Sequence, residues 1–133
     1  MAESIMLDKA KDFAVEIINI CEQIKETKRE SVLTNQLMRS GTSIGANIHE
    51  SKYAHWTADF ISKMQIALKE CYESEYWLEL LNRTGYIDNE QYKLIINNWG
   101  QIRRMLISSI NTVKENSRKD EPRWLKNSKS NCW

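Results

Sequence analysis

Four blocks of the sequence repeat apolar side chains at steps of three and four residues, and one Pro in 133 residues leaves little to interrupt them. That period is helical, so each block predicts a helix with one apolar face, and none shows the two-residue alternation of a half-buried strand. The first runs from Ser4, a candidate N-cap, to about Glu26, with Leu7, Ala10, Phe13, Ala14, Ile17, Ile18, Cys21 and Ile24 on its stripe. The third runs from Ala58 to about Arg83 through Phe60, Ile61, Met64, Ala67, Leu68, Cys71, Leu78 and Leu81, with Ser51 and Thr57 as cap candidates before it. Gly85 stands where a left-handed residue would close that helix, and Asp88 with Gln91 three residues later opens the fourth. The last stripe, from Tyr92 through Ile95, Ile96, Trp99, Ile102, Leu106 and Ile110 to Val113, continues to about Asn116.

The second block, Leu33 to Glu50, carries two lines of side chains on one helix. Leu33, Leu37, Ile44 and Ile48 form an apolar face. Beside it Arg39, Ser43, Asn47 and Glu50 form a polar line, in which Arg39, Asn47 and Glu50 are read as hydrogen-bond fasteners between helices. Gly41 and Gly45 each cost about 1 kcal/mol against Ala inside a helix, and close approach of a second helix is the physical return. The charges exclude a membrane dimer motif. Glu75 falls inside the third apolar stripe and needs a cation, for which Arg39 is the candidate, or a place at the stripe's edge.

Short connections such as Thr27 to Glu30 make successive helices antiparallel neighbours. The expected fold is therefore all-α: an up-down-up-down antiparallel four-helix bundle over residues 1–116 with short loops. A polar C-terminal tail follows over 117–133, partly disordered or docked on a neighbouring subunit. That tail holds Arg118, Lys119, Arg123, Lys126 and Lys129 against Asp120 and Glu121, and its Trp124, Leu125 and Trp133 would suit docking on a subunit or stacking on bases.

Composition excludes more functions than it names. Lys and Arg number 19 against 18 acids, so the net charge of +1 supplies no strong global pull toward nucleic acid or anionic membrane. Three widely spaced cysteines indicate neither a disulfide framework nor a zinc pattern, and Cys21 reads as a core thiol. No apolar run approaches a membrane span and no signal-peptide core is present, so the expected compartment is the cytoplasm. His49 and His55 lack the Glu-x-x-His setting of a carboxylate-bridged metal site. No phosphate loop or nucleophile elbow is present, which leaves an enzyme built on Arg39, Glu50 or Glu75 as the least favoured reading. No cofactor or small-molecule substrate is implied. Tyr53, Trp56, Tyr72, Tyr76 and Trp77 exceed what one narrow stripe can bury and are read as an oligomer interface. Lys52, Lys63 and Lys69 keep stacking on nucleic acid open.

Gln36, Leu37, Arg39, Ser43, Ile44, Asn47, Ile48 and Glu50 form a QLxRxxxSIxxNIxE pattern, and a second segment reads FISKMQIALKECYESEYWLELLNRTGYI. Together they resemble a bacterial four-helix-bundle family named for proteins encoded in intervening sequences of large-subunit ribosomal RNA genes, sometimes labelled ribosomal protein. The resemblance implies a four-helix bundle. Through relatives that resemble the accessory protein of diversity-generating retroelements, it also implies a ring of five subunits with a basic surface for nucleic acid. Two functions follow as expectations: a non-enzymatic oligomer that binds structured RNA or a ribonucleoprotein partner, or a homo-oligomeric protein-interaction scaffold without nucleic-acid binding.

Overall fold

The computed structural model describes residues 2–125 and contains four long helices: α1 (Ala2–Lys28), α2 (Val32–Ser51), α3 (Thr57–Arg83) and α4 (Asn89–Lys119). They pack in sequence order as an up-down-up-down bundle, α1 on α2, α2 on α3, α3 on α4, with α4 returning to α1. The predicted stripes meet at its centre, where Met6, Phe13, Ile17, Leu37, Ile44, Ile48, Met64, Leu78, Ile95 and Leu106 lose essentially all contact with solvent.

The two glycines of α2 face α1. A methyl group on Gly41 would stand 3.0 Å from Ile17 Cγ2, and one on Gly45 would stand 3.5 Å from Ala10 Cβ. This is the close helix approach that the four-residue glycine spacing predicts. On its other side α2 meets α3, where the buried Ser74 hydroxyl donates to Ser40 Oγ at 3.0 Å. Small side chains thus line both flanks of α2.

The helix ends follow local chemistry. Gly85 takes φ +86°, and the Tyr86 N–H donates to the Leu81 carbonyl at 2.9 Å to close α3. The Asp88 carboxylate accepts from the Gln91 N–H at 2.8 Å and opens α4. Elsewhere the predicted caps move. Ser4 lies inside α1, and Ser51 is the last residue of α2, where its hydroxyl donates to the Ile48 carbonyl. Thr57 is already helical, and extended Trp56 occupies the N-cap position of α3. The α2 cap is Glu30, whose carboxylate accepts from the N–H groups of Leu33 at 2.7 Å and Thr34 at 3.0 Å. Burial acts to raise the Glu30 pKa, but these donors outweigh it and hold the carboxyl below its usual range.

Helix α4 outlasts its apolar stripe. Residues 114–120 are exposed at every position, so its last turns run past the neighbouring helices. Arg118 and Lys119 therefore ride on the final turn of α4, which ends at Lys119 and not near Asn116.

Candidate nucleic-acid interface

The net charge of +1 conceals a division. Residues 1–92 carry 10 Lys or Arg and 15 Asp or Glu, net −5, whereas residues 93–133 carry 9 and 3, net +6. The boundary falls at the start of α4, and no acid occurs between Lys93 and Lys114. Helical geometry turns that composition into a surface. Lys93, Asn97, Arg104, Asn111, Lys114 and Arg118 recur at offsets of four, seven, seven, three and four, so they share one face, and all six are exposed. The opposite face carries Ile95, Trp99, Ile102, Leu106 and Ile110 into the core. From Lys93 to Lys114 the basic face extends about 30 Å along the helix.

An aromatic cluster anchors this helix to α3. The Trp99 indole N–H donates to the Cys71 carbonyl at 2.7 Å. The Arg103 guanidinium lies 5.5 Å from the Trp99 ring centroid, and Tyr72 meets the same ring edge-on at 6.4 Å. Arg104 folds back across Gly100, where an added methyl group would come within 3.2 Å of a guanidinium nitrogen. Arg103 is thus held against Trp99, while Arg104 stays exposed. Burial pushes the Cys71 thiol up to about 12, against the lowering field of Arg103, and pushes Cys21 up to about 11. Both are packed, unreactive thiols.

The polar line of α2 divides into local and interhelical contacts. Ser43 donates to the Arg39 carbonyl and Asn47 to the Ser43 carbonyl, so neither fastens one helix to another. Arg39 does cross to α3, but its partners are Glu70 and Glu73, not Glu75. A three-residue step along α3 places Glu70 and Glu73 toward α2, and Glu75 lies on another face, half-buried, where its charge reaches Tyr92 on α4. Glu50 crosses to α3 through Lys63 at 3.1 Å. The Arg39 side chain keeps half of its exposure, so its removal should cost about 1 kcal/mol or less.

The predicted aromatic patch is two patches. Tyr53 and Trp56 lie at the α2–α3 connection, 71% and 76% exposed, at one end of the bundle. Tyr72 and Tyr76 lie on the middle of α3 and are exposed, whereas Trp77 is half-buried against the core and meets Tyr76 edge-on. Of the predicted basic tail, Arg118, Lys119 and Arg123 fall in the described chain, and Lys126 and Lys129 lie outside the described residues. Among the described residues no three His, Cys, Asp or Glu side chains gather as a metal site requires, and no helix is long and apolar enough to cross a membrane. The basic face of α4 itself was the missed feature. Its signal, the charge asymmetry between the two parts of the chain, stands in the sequence.

Fold and surface together define a four-helix-bundle protein whose last helix is its basic one. The model of the 23S rRNA-intervening sequence protein family matches residues 2–108, and the chain belongs to that family. A crystal structure of a protein of unknown function from the S23 ribosomal protein family of Bacteroides thetaiotaomicron VPI-5482 is 50% identical to this chain. It superposes with a TM-score of 0.82, covering 84% of this chain and 99% of its own. No curated protein matches the chain.

Proposed function

We propose that this protein is a non-enzymatic homo-oligomer that binds structured RNA through the backbone phosphates, along the exposed face of α4. The observation that carries the reading is the acid-free interval from Lys93 to Lys114, folded into one solvent-facing basic ridge on an otherwise acidic bundle. Phosphate recognition needs an array of cations with room for counterions to leave, and Lys93, Arg104, Lys114 and Arg118 supply four on one face. The acidic remainder would repel nucleic acid and so orient the bundle on it. Self-association, in the ring of five that the family resemblance implies, would use the outer strip of α3, where Tyr72 and Tyr76 stay exposed on a helix that also buries Met64, Cys71 and Leu78.

The test is titration of an RNA hairpin at two salt concentrations with the wild type and with Lys93→Glu/Arg104→Glu. Four neutralised phosphates give a loss of about a hundredfold between about 50 and 200 mM salt. The charge-reversed variant should lose at least about tenfold at the lower salt and show a shallower salt slope. Absence of binding at low salt would refute the nucleic-acid reading. The exposed strip of α3 would then favour a protein-interaction scaffold, as a homo-oligomeric ring without nucleic-acid binding.

A further inference from the structure

The most exposed aromatic side chains of the described chain are not on the α3 strip. Trp56 at 76%, Tyr53 at 71% and Trp124 at 70% exceed Tyr76 at 55% and Tyr72 at 46%. The up-down order puts the α2–α3 connection and the end of α4 at the same end of the bundle, and Val113 of α4 lines an open hollow of about 370 Å³ with His55, Trp56 and Phe60. Lys114 follows Val113 at once, and Arg118 lies one turn further along the overhanging helix, so the basic ridge runs onto the aromatic end. Lys52 adds a cation beside Tyr53 in the connection. Tyr53 meets the His49 ring edge-on at 5.6 Å and still keeps most of its surface in water beside Trp56, and a cluster of exposed rings marks a contact surface.

We propose that this end of the bundle stacks unpaired bases, so that the ligand is nucleic acid with a single-stranded segment adjoining the stretch held by α4. The proposal rests on the phosphate-binding reading above and deepens it. Base stacking needs rings with accessible faces beside cations that hold the backbone, and it tolerates sequence because every base has a π face. A paired duplex hides its base faces and cannot use Tyr53 or Trp56. The charges divide the labour in the same way. Asp59, Glu115, Asp120 and Glu121 dilute the positive charge near the end, so phosphate attraction comes chiefly from Lys93 to Lys114 while the end supplies discrimination.

The experiment compares a 5′-labelled hairpin RNA with the same hairpin carrying a single-stranded overhang of about ten nucleotides, a length within the site sizes of known single-strand binders. The full chain, Tyr53→Ala/Trp56→Ala, Trp56→Phe and Lys93→Glu/Arg104→Glu are each titrated, and the mass of each is measured by light scattering. The overhang should tighten binding by the wild type about tenfold or more, in line with stacking of one or two bases. Tyr53→Ala/Trp56→Ala should abolish that gain while leaving hairpin affinity, salt slope and mass unchanged, and Trp56→Phe should retain part of it. Equal affinity of the wild type for the two RNAs, or equal losses on both in the aromatic double variant, would overturn stacking and leave phosphate binding in place. A fall in mass for that variant would assign the rings to a second copy of the chain and overturn the proposal. Failure of both RNAs to bind the wild type would refute the phosphate reading and this one with it.

Discussion

The α2–α3 and α1–α4 seams hold the same bundle by different means. Between α2 and α3 the packing is the most extensive in the molecule, and the Ser40–Ser74 hydroxyl pair sits at its centre with no solvent contact. Arg39 with Glu70 and Glu73, and Glu50 with Lys63, bridge the outer edges. Between α1 and α4 the packing is the slightest of the four neighbouring pairs. There the bridges are exposed, Lys9 to Gln101 at 2.9 Å and Asn98 to Glu16 at 3.0 Å, above a hollow of about 150 Å³ floored by Phe13. Small side chains let one pair of helices close, whereas long polar ones span a gap in the other. Stability should therefore be concentrated around α2, while local opening should begin where α1 meets α4.

The largest effect tests the closed seam. Ser74→Ala removes the hydroxyl that meets Ser40 Oγ in a site without solvent contact; Ser40 keeps its bond to the Leu37 carbonyl, so the cost is that of one lost hydrogen bond, up to about 1.5 kcal/mol. The two hydroxyls share that bond, so Ser40→Ala/Ser74→Ala should lose less than the sum of Ser40→Ala and Ser74→Ala. Urea unfolding of the double variant, both single variants and the wild type reads this directly. A double-variant loss equal to the sum of the singles would mean that the hydroxyls act separately and that the seam is held by its packing alone.

A smaller effect, confined to the α2 side, comes from acid. The Glu30 carboxyl is held below its ordinary value of 4.5 in the folded chain, because the N–H donors of the first turn of α2 outweigh burial. A depressed carboxyl stabilises the fold fully above about pH 4.5, and that contribution is lost as pH falls through the lower folded value. Glu30→Gln should cost about 1 kcal/mol at neutral pH, as loss of an N-cap does. The difference between variant and wild type should shrink below about pH 4.5. Urea midpoints from neutral pH down to about pH 3 follow it. A constant difference across that range would remove Glu30 from the cap.

Much of this fold is legible in the residues. Periodicity alone places Leu37, Ile44, Ile48, Met64, Leu78 and Leu106 in the core, and Gly85 and Asp88 mark the α3–α4 turn because their chemistry is specific to those positions. The Glu30 cap escapes such a reading, since its carboxylate reaches forward across Ser31 and Val32 to the Leu33 N–H, and Ser31 stands where a hydroxyl cap is expected. Partners across helices escape it too. Whether Arg39 meets Glu70, Glu73 or Glu75 depends on the α2–α3 register, which a helical wheel for each helix does not contain. The overhang of α4 carries no apolar residue after Val113, so nothing in periodicity reports its continuation to Lys119. The basic ridge was hidden by summation alone, because 19 bases against 18 acids look neutral until the count is divided at Lys93.

The smallest expected effect is at the open seam, and its smallness is the point. Asn98 on α4 donates to Glu16 on α1 at 3.0 Å in a solvent-exposed position, so water can replace either partner when the other is lost. Asn98→Ala should change stability by less than about 0.5 kcal/mol. The hydrogen bond nevertheless ties together the two helices that touch least, and its loss should show as faster amide exchange in the facing turns of α1 and α4 than in α2 or α3. Unfolding midpoints give the first quantity and exchange rates resolved by helix give the second. A loss above about 1 kcal/mol would show that this seam is held as tightly as the one built on Ser40 and Ser74, and would break the contrast between them.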